Sequence, residues 1–371
     1  MSRKIRLLFD ANPLVRQKTG VGYYTQGVIS VLAKIPELEL HGHYFAPRGP
    51  LPPLPQAGNI SYSHNSWLVG QAVKALRKLG LRLPWELLAR QRADVLFFPD
   101  FTTWPSLFGR PKILTVHDLT FIDHPEWVQK RNLRYLRRFV RRDAQKAALV
   151  LTISEFSKQR MVKEFGLPAA KILVQPIPPA PMVKPEKTNL PTDFILFIST
   201  IEPRKNLGGL LQAYSRLPEP LRQKHPLVIA GGVGWNADDT VAEIKNLQAA
   251  GEQIISLGYV SDGVRSALYQ KAALVVVPSF YEGFGMPLLE AMAAGAPVAA
   301  SDLPVLREIG GSAVRYFDPN SPTAMASTVQ KLLSDKALRT KLVQQGEVRA
   351  QTYSWPAVAQ AIFERISKLA N

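Results

Sequence analysis

Short, strongly apolar runs alternate with longer stretches in which apolar residues recur every three or four positions, and this rhythm continues from one end of the 371-residue chain to the other. Runs rich in Val, Ile, Leu and Phe predict buried strands, and the stretches between them predict amphipathic helices. In the first half the strand-like runs are KIRLLFD, LHGHYFA, ADVLFFPD, KILTVHD, ALVLTIS and KILVQPI. In the second they are FILFIST, PLVIAGG, IISLGYV, ALVVVPS, APVAAS and AVRYFD. Strand and helix in strict alternation predict an α/β protein with parallel sheets and crossover helices.

Between the two series lies a proline-rich stretch whose prolines suit neither a helix interior nor a central strand. The predicted organisation is a first domain at residues 1–178, a linker at 179–192 and a second domain at 193–354. A final amphipathic helix, residues 355–371, is expected to cross back towards the first domain. Each domain reads as a Rossmann-like, doubly wound parallel sheet, with ligand-binding loops at the carboxyl ends of its strands and a central cleft as the expected site.

Composition narrows the function. A hydrophobic fraction of 46% gives material for two cores, and the absence of cysteine excludes disulfides, thiolate nucleophiles and cysteine-based zinc sites. The apolar run before Asp10 is too short for a signal-peptide core or a membrane span, so a cytoplasmic, non-spanning protein is expected. The charge is uneven. Residues 1–192 hold 29 Lys/Arg against 13 Asp/Glu, whereas residues 193–371 hold 17 against 16. A basic first half points to an acidic partner, with the anionic face of a membrane ranked above nucleic acid. Two stretches, 74–92 around Trp85 and the helix 130–147, combine Lys/Arg with Leu and aromatic residues in the manner of an interfacial surface.

Four strand ends carry candidate chemistry. ALVVVPS runs into FYEGFG, where Gly283 and Gly285 allow close approach of a ligand and the amides of Phe284, Gly285 and Met286 open a helix that contains Pro287. Glu282 and Glu290 sit in this apolar setting and need hydrogen-bond donors, which hydroxyl groups of a polyol ligand could supply. Glu290 is expected in the first turn of that helix.

FILFIST leads to Arg204 and Lys205 at a helix start capped by Asn206. Cations there oppose the helix dipole, a conflict that a bound diphosphate would resolve. KILTVHD places His117 and Asp118 at a strand end, and the first strand leads into a loop with Gly20 and Gly22 before a helix. The pair His41 and His43 falls on one face of a predicted strand. No metal-ligand spacing is present, so no catalytic metal is expected.

Taken in order, TGVGYY, VHDLTF, TISEFSK, IEPRKNL, LGYVSD and EGFGMPLLEAMAAGAPV resemble the retaining glycosyltransferases of family four, which have the two-domain GT-B fold. The resemblance spans nearly the whole chain. It implies that Arg204 and Lys205 grip the diphosphate of a nucleotide sugar, that Glu290 binds the ribose hydroxyls and that Glu282 holds the transferred hexose. By the same resemblance Thr200, Gly232 and the Gly283–Met286 backbone complete the donor pocket, Tyr259 and Val260 border the base, and Gly20 and Gly22 lie near the diphosphate and acceptor. His117 would contact the hexose, with Asp118 beside it.

The resemblance further implies metal-independent transfer with retained anomeric configuration and no cofactor beyond the nucleotide-sugar co-substrate. The VHDLTF and HPEW pattern is similar to mannosyltransferases of bacterial surface-polysaccharide (lipopolysaccharide) synthesis. GDP-mannose is therefore the first expected donor and a UDP-hexose the alternative. The expected acceptor is a saccharide on a polyprenyl diphosphate at the inner face of the cytoplasmic membrane, where the chain would be a peripheral protein. The reading from another class is a nucleotide- or nucleic-acid-binding protein that kept the fold without transfer.

Overall fold

The computed structural model describes residues 3–15, 20–47 and 49–370. The chain divides into two compact units, one made of residues 1–177 with 354–371 and the other of residues 178–353.

The first unit is built on seven parallel strands: β1 (Ile5–Asp10), β2 (Leu38–Phe45), β3 (Ile60–Asn65), β4 (Val95–Phe98), β5 (Lys112–Thr115), β6 (Leu149–Thr152) and β7 (Ile172–Val174), in the order β3-β2-β1-β4-β5-β6-β7. The second unit has six parallel strands: β8 (Phe194–Ile198), β9 (Leu227–Ala230), β10 (Ile254–Gly258), β11 (Ala272–Val277), β12 (Val298–Ser301) and β13 (Val314–Phe317), in the order β10-β9-β8-β11-β12-β13. These are two Rossmann-like, doubly wound sheets.

The central strands are buried along their whole length, as sheets covered by helices on both faces require. Val95–Phe98, Leu149–Thr152 and Leu227–Ala230 have no exposed position. Twelve of the thirteen strands among the described residues coincide with the apolar runs of the sequence. The exception, β3, reads ISYSHN, with Ser61, Ser63 and Asn65 at alternate positions. It lies at the sheet edge, where one side needs no strand partner and polar residues are tolerated.

The predicted linker does not hang free. Glu186 donates its backbone N–H to Gly263, and Val183 donates to Ser266 Oγ, so this segment lies along the helix Asp262–Lys271 of the second unit. The helix Trp355–Ala370 packs in the first unit. Its Trp355 ring occupies the space where a side chain at Gly27 of the helix Gly20–Leu32 would stand.

One expectation about the basic stretches changes. Trp85 is fully buried, stacked on Trp104 at 5.6 Å and set edge-on to His43 at 5.1 Å, so it belongs to the core and not to an interface. Ring packing against Trp104, His43 and Phe98 holds the indole there. On the helix Lys130–Lys146, Phe139 and Val140 are buried, while the inward Asp143 accepts from Arg82 and from the Thr103 N–H. No helix among the described residues is long and apolar enough to cross a membrane.

Candidate active site

The second sheet reverses its winding between β8 and β11, so the loops that follow these strands open side by side at their carboxyl ends. After β8 the chain makes a single 3-10 turn, Pro203–Lys205. Asn206, in the left-handed conformation at φ 54°, then starts the helix Leu207–Ser215. After β11 a loop runs to Gly285, whose φ of 103° sets the start of the helix Met286–Ala293.

The two loops are laced together. Phe280 donates its N–H to the Arg204 carbonyl at 2.8 Å. The Asn206 amide donates to the carbonyls of Pro278 and Pro319, both at 2.9 Å, while its Oδ1 accepts from the Gly209 N–H at 3.2 Å. Asparagine suits this junction because it tolerates the left-handed region and its short side chain offers both donor and acceptor.

Arg204, Lys205 and Glu282 meet here. Lys205 Nζ donates to Glu282 Oε1 at 2.7 Å, and Ser279 Oγ donates to the same oxygen at 2.7 Å. Arg204 Nη1 lies 3.5 Å from Glu282 Oε2, and its Nε pairs with Glu202. Lys205, Glu202 and Glu282 are each only 5–7% exposed, a depth at which an unpaired charge would cost several kcal/mol.

Burial is the largest single influence on Glu282 and works to raise its pKa. Lys205 and Arg204 outweigh it and hold the carboxylate below its usual range. Burial and the neighbouring Arg204 pull Lys205 down from the ordinary lysine value, against the attraction of Glu282. The result is an ionised carboxylate whose Oε2 retains acceptor capacity, beside two cations that a diphosphate would recruit.

Glu290 forms a second cluster. It lies one turn inside the helix and not in the first turn, because Gly285 caps the helix early enough for Met286 to be its first residue. The sequence leaves a ligand as a candidate source of donors for this carboxylate, but two protein donors reach it. Arg265 Nη1 donates to Oε1 at 2.6 Å, and the Tyr269 hydroxyl donates to Oε2 at 2.9 Å. Burial raises its pKa, and Arg265 and Tyr269 offset only part of that rise. A carboxylate offers about four acceptor positions, so two remain for hydroxyl groups.

The other donor-side candidates lie around these clusters. Gly283 is buried, and the Phe284 ring packs edge-on against Tyr353 at 6.1 Å, so these residues offer backbone and not side chain to a ligand. Among the described residues, the N–H groups of Gly285 and Met286 are not taken by other backbone carbonyls. Thr200 is exposed after β8, and the Gly232 carbonyl accepts from the Ile201 N–H at 2.9 Å. Tyr259 is 67% exposed and Val260 is half-buried at the end of β10, directly before the helix that supplies Arg265 and Tyr269.

In the first unit His117 follows β5. It is buried, donates Nε2–H to the Pro99 carbonyl at 2.8 Å and meets the Tyr24 ring edge-on at 5.0 Å. Burial lowers its pKa against the pull of Pro99, Asp100 and Asp118, so the ring is neutral with Nδ1 as its acceptor. Asp118 acts locally, accepting from the Thr120 N–H at 3.0 Å. Gly20 and Gly22 fall inside the first turn of the helix Gly20–Leu32 and not in a preceding loop. A side chain at Gly22 would come within 3.1 Å of the Pro13 carbonyl, while Gly20 faces open space. The rest of the predicted loop, residues 16–19, lies outside the described residues.

Sequence reasoning missed Glu202, Ser279, Arg265 and Tyr269. Glu202 and Ser279 adjoin the motifs that were read, and a buried acid next to Arg204 was a usable sign. Arg265 and Tyr269, at i and i+4, share a helix face, but nothing local shows that the face meets Glu290. Among the described residues no three His, Asp or Glu side chains converge as a metal site.

Comparison with known proteins agrees with this fold. Residues 21–177 match the family described as Glycosyltransferase Family 4, and residues 182–349 match Glycosyl transferases group 1. The O-antigen chain mannosyltransferase B of Escherichia coli is 32% identical over 374 residues, covering 95% of this chain and 96% of that protein. In fold, the chain is similar to sucrose-phosphate synthase from Thermosynechococcus elongatus, with a TM-score of 0.75, 18% identity and 99% of each chain covered. It is likewise similar to Anabaena HepE in complex with UDP and glucose, with a TM-score of 0.71, 17% identity, and 98% of this chain and 99% of that one covered. Two Rossmann-like units with parallel sheets, together with these similarities, define a glycosyltransferase of the GT-B fold. The chain belongs to glycosyltransferase family 4.

Proposed function

We propose that this glycosyltransferase is a retaining, metal-independent mannosyltransferase that uses GDP-mannose to extend a saccharide in surface-polysaccharide synthesis. The observation that carries the reading is the interlaced pair of loops after β8 and β11, which sets Arg204 and Lys205 against Glu282. The choice of mannose and of polysaccharide synthesis is supported by the similarity to the O-antigen chain mannosyltransferase.

The diphosphate lies against Arg204 and Lys205, the ribose hydroxyls donate to Glu290, and a mannose hydroxyl donates to Glu282 Oε2. The acceptor hydroxyl oxygen forms its bond to the anomeric carbon on the face from which the phosphate leaves. The carbon–oxygen bond to that phosphate breaks, and the hydroxyl proton passes to a departing phosphate oxygen. The two cations stabilise the charge that grows on the leaving group, the kind of preorganised electrostatic effect that often dominates catalysis. They thereby fill the role a metal ion would otherwise serve.

The acceptor in this reading is lipid-linked at the inner face of the cytoplasmic membrane. The basic first half and the exposed Leu68, Leu79, Leu81 and Leu87 support that docking. Incubation with GDP-mannose, UDP-glucose and ADP-glucose should give transfer from GDP-mannose alone, with an α-configured product by NMR. Preference for either other donor overturns the mannose assignment, and an inverted product overturns the retaining mechanism.

A further inference from the structure

At the outer edge of the first sheet, the carboxyl end of β3 and the turn after the helix Trp85–Ala89 line an open cavity of about 690 Å3. His43 is among its lining residues, together with His64, Asn65, Trp67, Arg90 and Gln91. None of these residues belongs to the donor site.

The hydrogen-bond polarity of Asn65 is fixed. The Leu88 carbonyl can only accept, so the Asn65 atom 3.0 Å from it is the amide nitrogen, which also donates to His43 Nε2 at 3.1 Å. His43 therefore carries its proton on Nδ1 and donates it to Ser63 Oγ at 2.9 Å. Both amide hydrogens of Asn65 are thus used within the protein, and Oδ1 is left as an acceptor for a ligand. Burial, with His41 and His64 adding to it, pushes the His43 pKa down to about 4, so this arrangement persists at neutral pH.

Arg90 lines the same cavity. It caps the helix Trp85–Ala89 in the left-handed conformation at φ 53°, and its guanidinium pairs with no carboxylate among the described residues. The Gln91 amide adds both a donor and an acceptor. The Trp67 indole and the His64 imidazole, itself stacked on Tyr44 at 5.5 Å, add flat ring surface.

Acceptor, donors and flat apolar surface together fit one chemistry, that of neutral sugar rings. A phosphate would use the guanidinium but be opposed by Asn65 Oδ1, whereas a sugar hydroxyl both donates and accepts. Ring faces meet the apolar face of a pyranose. We propose that this cavity is a holding site for a neutral oligosaccharide, gripping the acceptor chain away from its reacting end. The proposal rests on the reading of the chain as an enzyme that extends a saccharide. β3 lies two strand spacings, about 10 Å, from β1 and further still from the winding switch between β1 and β4, so an occupant here is remote from that switch.

Isothermal titration of the full chain with an α-linked mannotetraose and with maltotetraose tests the proposal. Trp67→Ala, Gln91→Ala and Arg90→Gly change partly or fully exposed positions, and glycine suits the left-handed site of Arg90, so thermal unfolding should confirm folded variants. The expected result is at least tenfold weaker tetrasaccharide binding in the variants. In the transfer assay, the ratio of KM for the tetrasaccharide to KM for methyl α-mannoside should rise at least fivefold. Maltotetraose binding with the same dependence on the three residues supports the site and broadens its sugar.

Unchanged affinity in all three variants overturns the proposal. So does the absence of binding of either tetrasaccharide, or displacement of a bound tetrasaccharide by millimolar inorganic phosphate. A protein that binds a tetrasaccharide through these residues but transfers no mannose overturns the donor assignment and leaves the cavity standing.

Discussion

Replacing Lys205 by methionine removes the ammonium and keeps most of the side-chain volume. Glu282, 6% exposed, would then retain the Ser279 hydroxyl at 2.7 Å and Arg204 Nη1 at 3.5 Å. Removing one partner of a buried ion pair costs about 3–5 kcal/mol, chiefly because the surviving charge is left poorly solvated. Arg204 can close on Glu282 and the carboxyl can take up a proton, so the expected loss of stability is nearer 2–3 kcal/mol.

The same argument predicts that Glu282→Gln, added to Lys205→Met, restores stability to within about 1 kcal/mol of wild type, since no orphaned charge remains. Activity should behave differently. Loss of a preorganised charge facing the departing diphosphate should lower kcat by about 10²–10³ in the single variant, and the second substitution cannot restore it. Urea unfolding and steady-state transfer, measured on the same preparations, separate the two effects. A single variant within about 0.5 kcal/mol of wild type would show that the ion pair is not buried as described. Recovery of transfer in the double variant would refute the catalytic role of Lys205.

Three further outcomes follow from the same structure. Arg265→Leu leaves Glu290 with only Tyr269 as a donor, so its already raised pKa should climb further; GDP affinity, measured by calorimetry, should fall at neutral pH and recover as pH rises, and a pH-independent loss would contradict this. His41, His43 and His117 are all held below the usual histidine value, mainly by burial, so the unfolded chain binds more protons than the folded one below about pH 6.5. Stability should therefore fall with acidification, His43 alone removing about 2 kcal/mol by pH 5, and urea midpoints that stay flat or rise from pH 6.5 to 5 would count against it. At Gly231, φ is 144° and an added Cβ would lie 1.8 Å from the Ser199 carbonyl oxygen, so Gly231→Ala should force apart the loops after β8 and β9 and destabilise by about 2–4 kcal/mol; a loss under about 0.5 kcal/mol would show that the loops yield freely.

The sequence made the sheets legible because their strands are buried on both faces and read as unbroken apolar runs. β3 escaped notice because its edge position allows Ser61, Ser63 and Asn65 to alternate with larger residues. At the site, Arg204 and Lys205 stood out as cations at a helix start, a local conflict visible without coordinates. Their partner Glu282 lies 77 residues from Lys205 and meets it only because the sheet reverses between β8 and β11. That pairing is a property of the winding, not of either motif. Glu290 was seen as a buried acid in need of donors, but Arg265 and Tyr269 become its neighbours only after helix packing. Trp85 misled for the converse reason. Its basic and leucine-rich surroundings resemble an interface, while its ring is enclosed by Trp104, His43 and Phe98.

The most direct test of the account is a crystal structure of the chain with GDP bound. The diphosphate should lie within hydrogen-bond distance of Arg204 and Lys205, at the start of the helix Met286–Ala293, with the ribose hydroxyls on Glu290. A diphosphate out of reach of both cations, or a ribose away from Glu290, would contradict the assignment of the donor site.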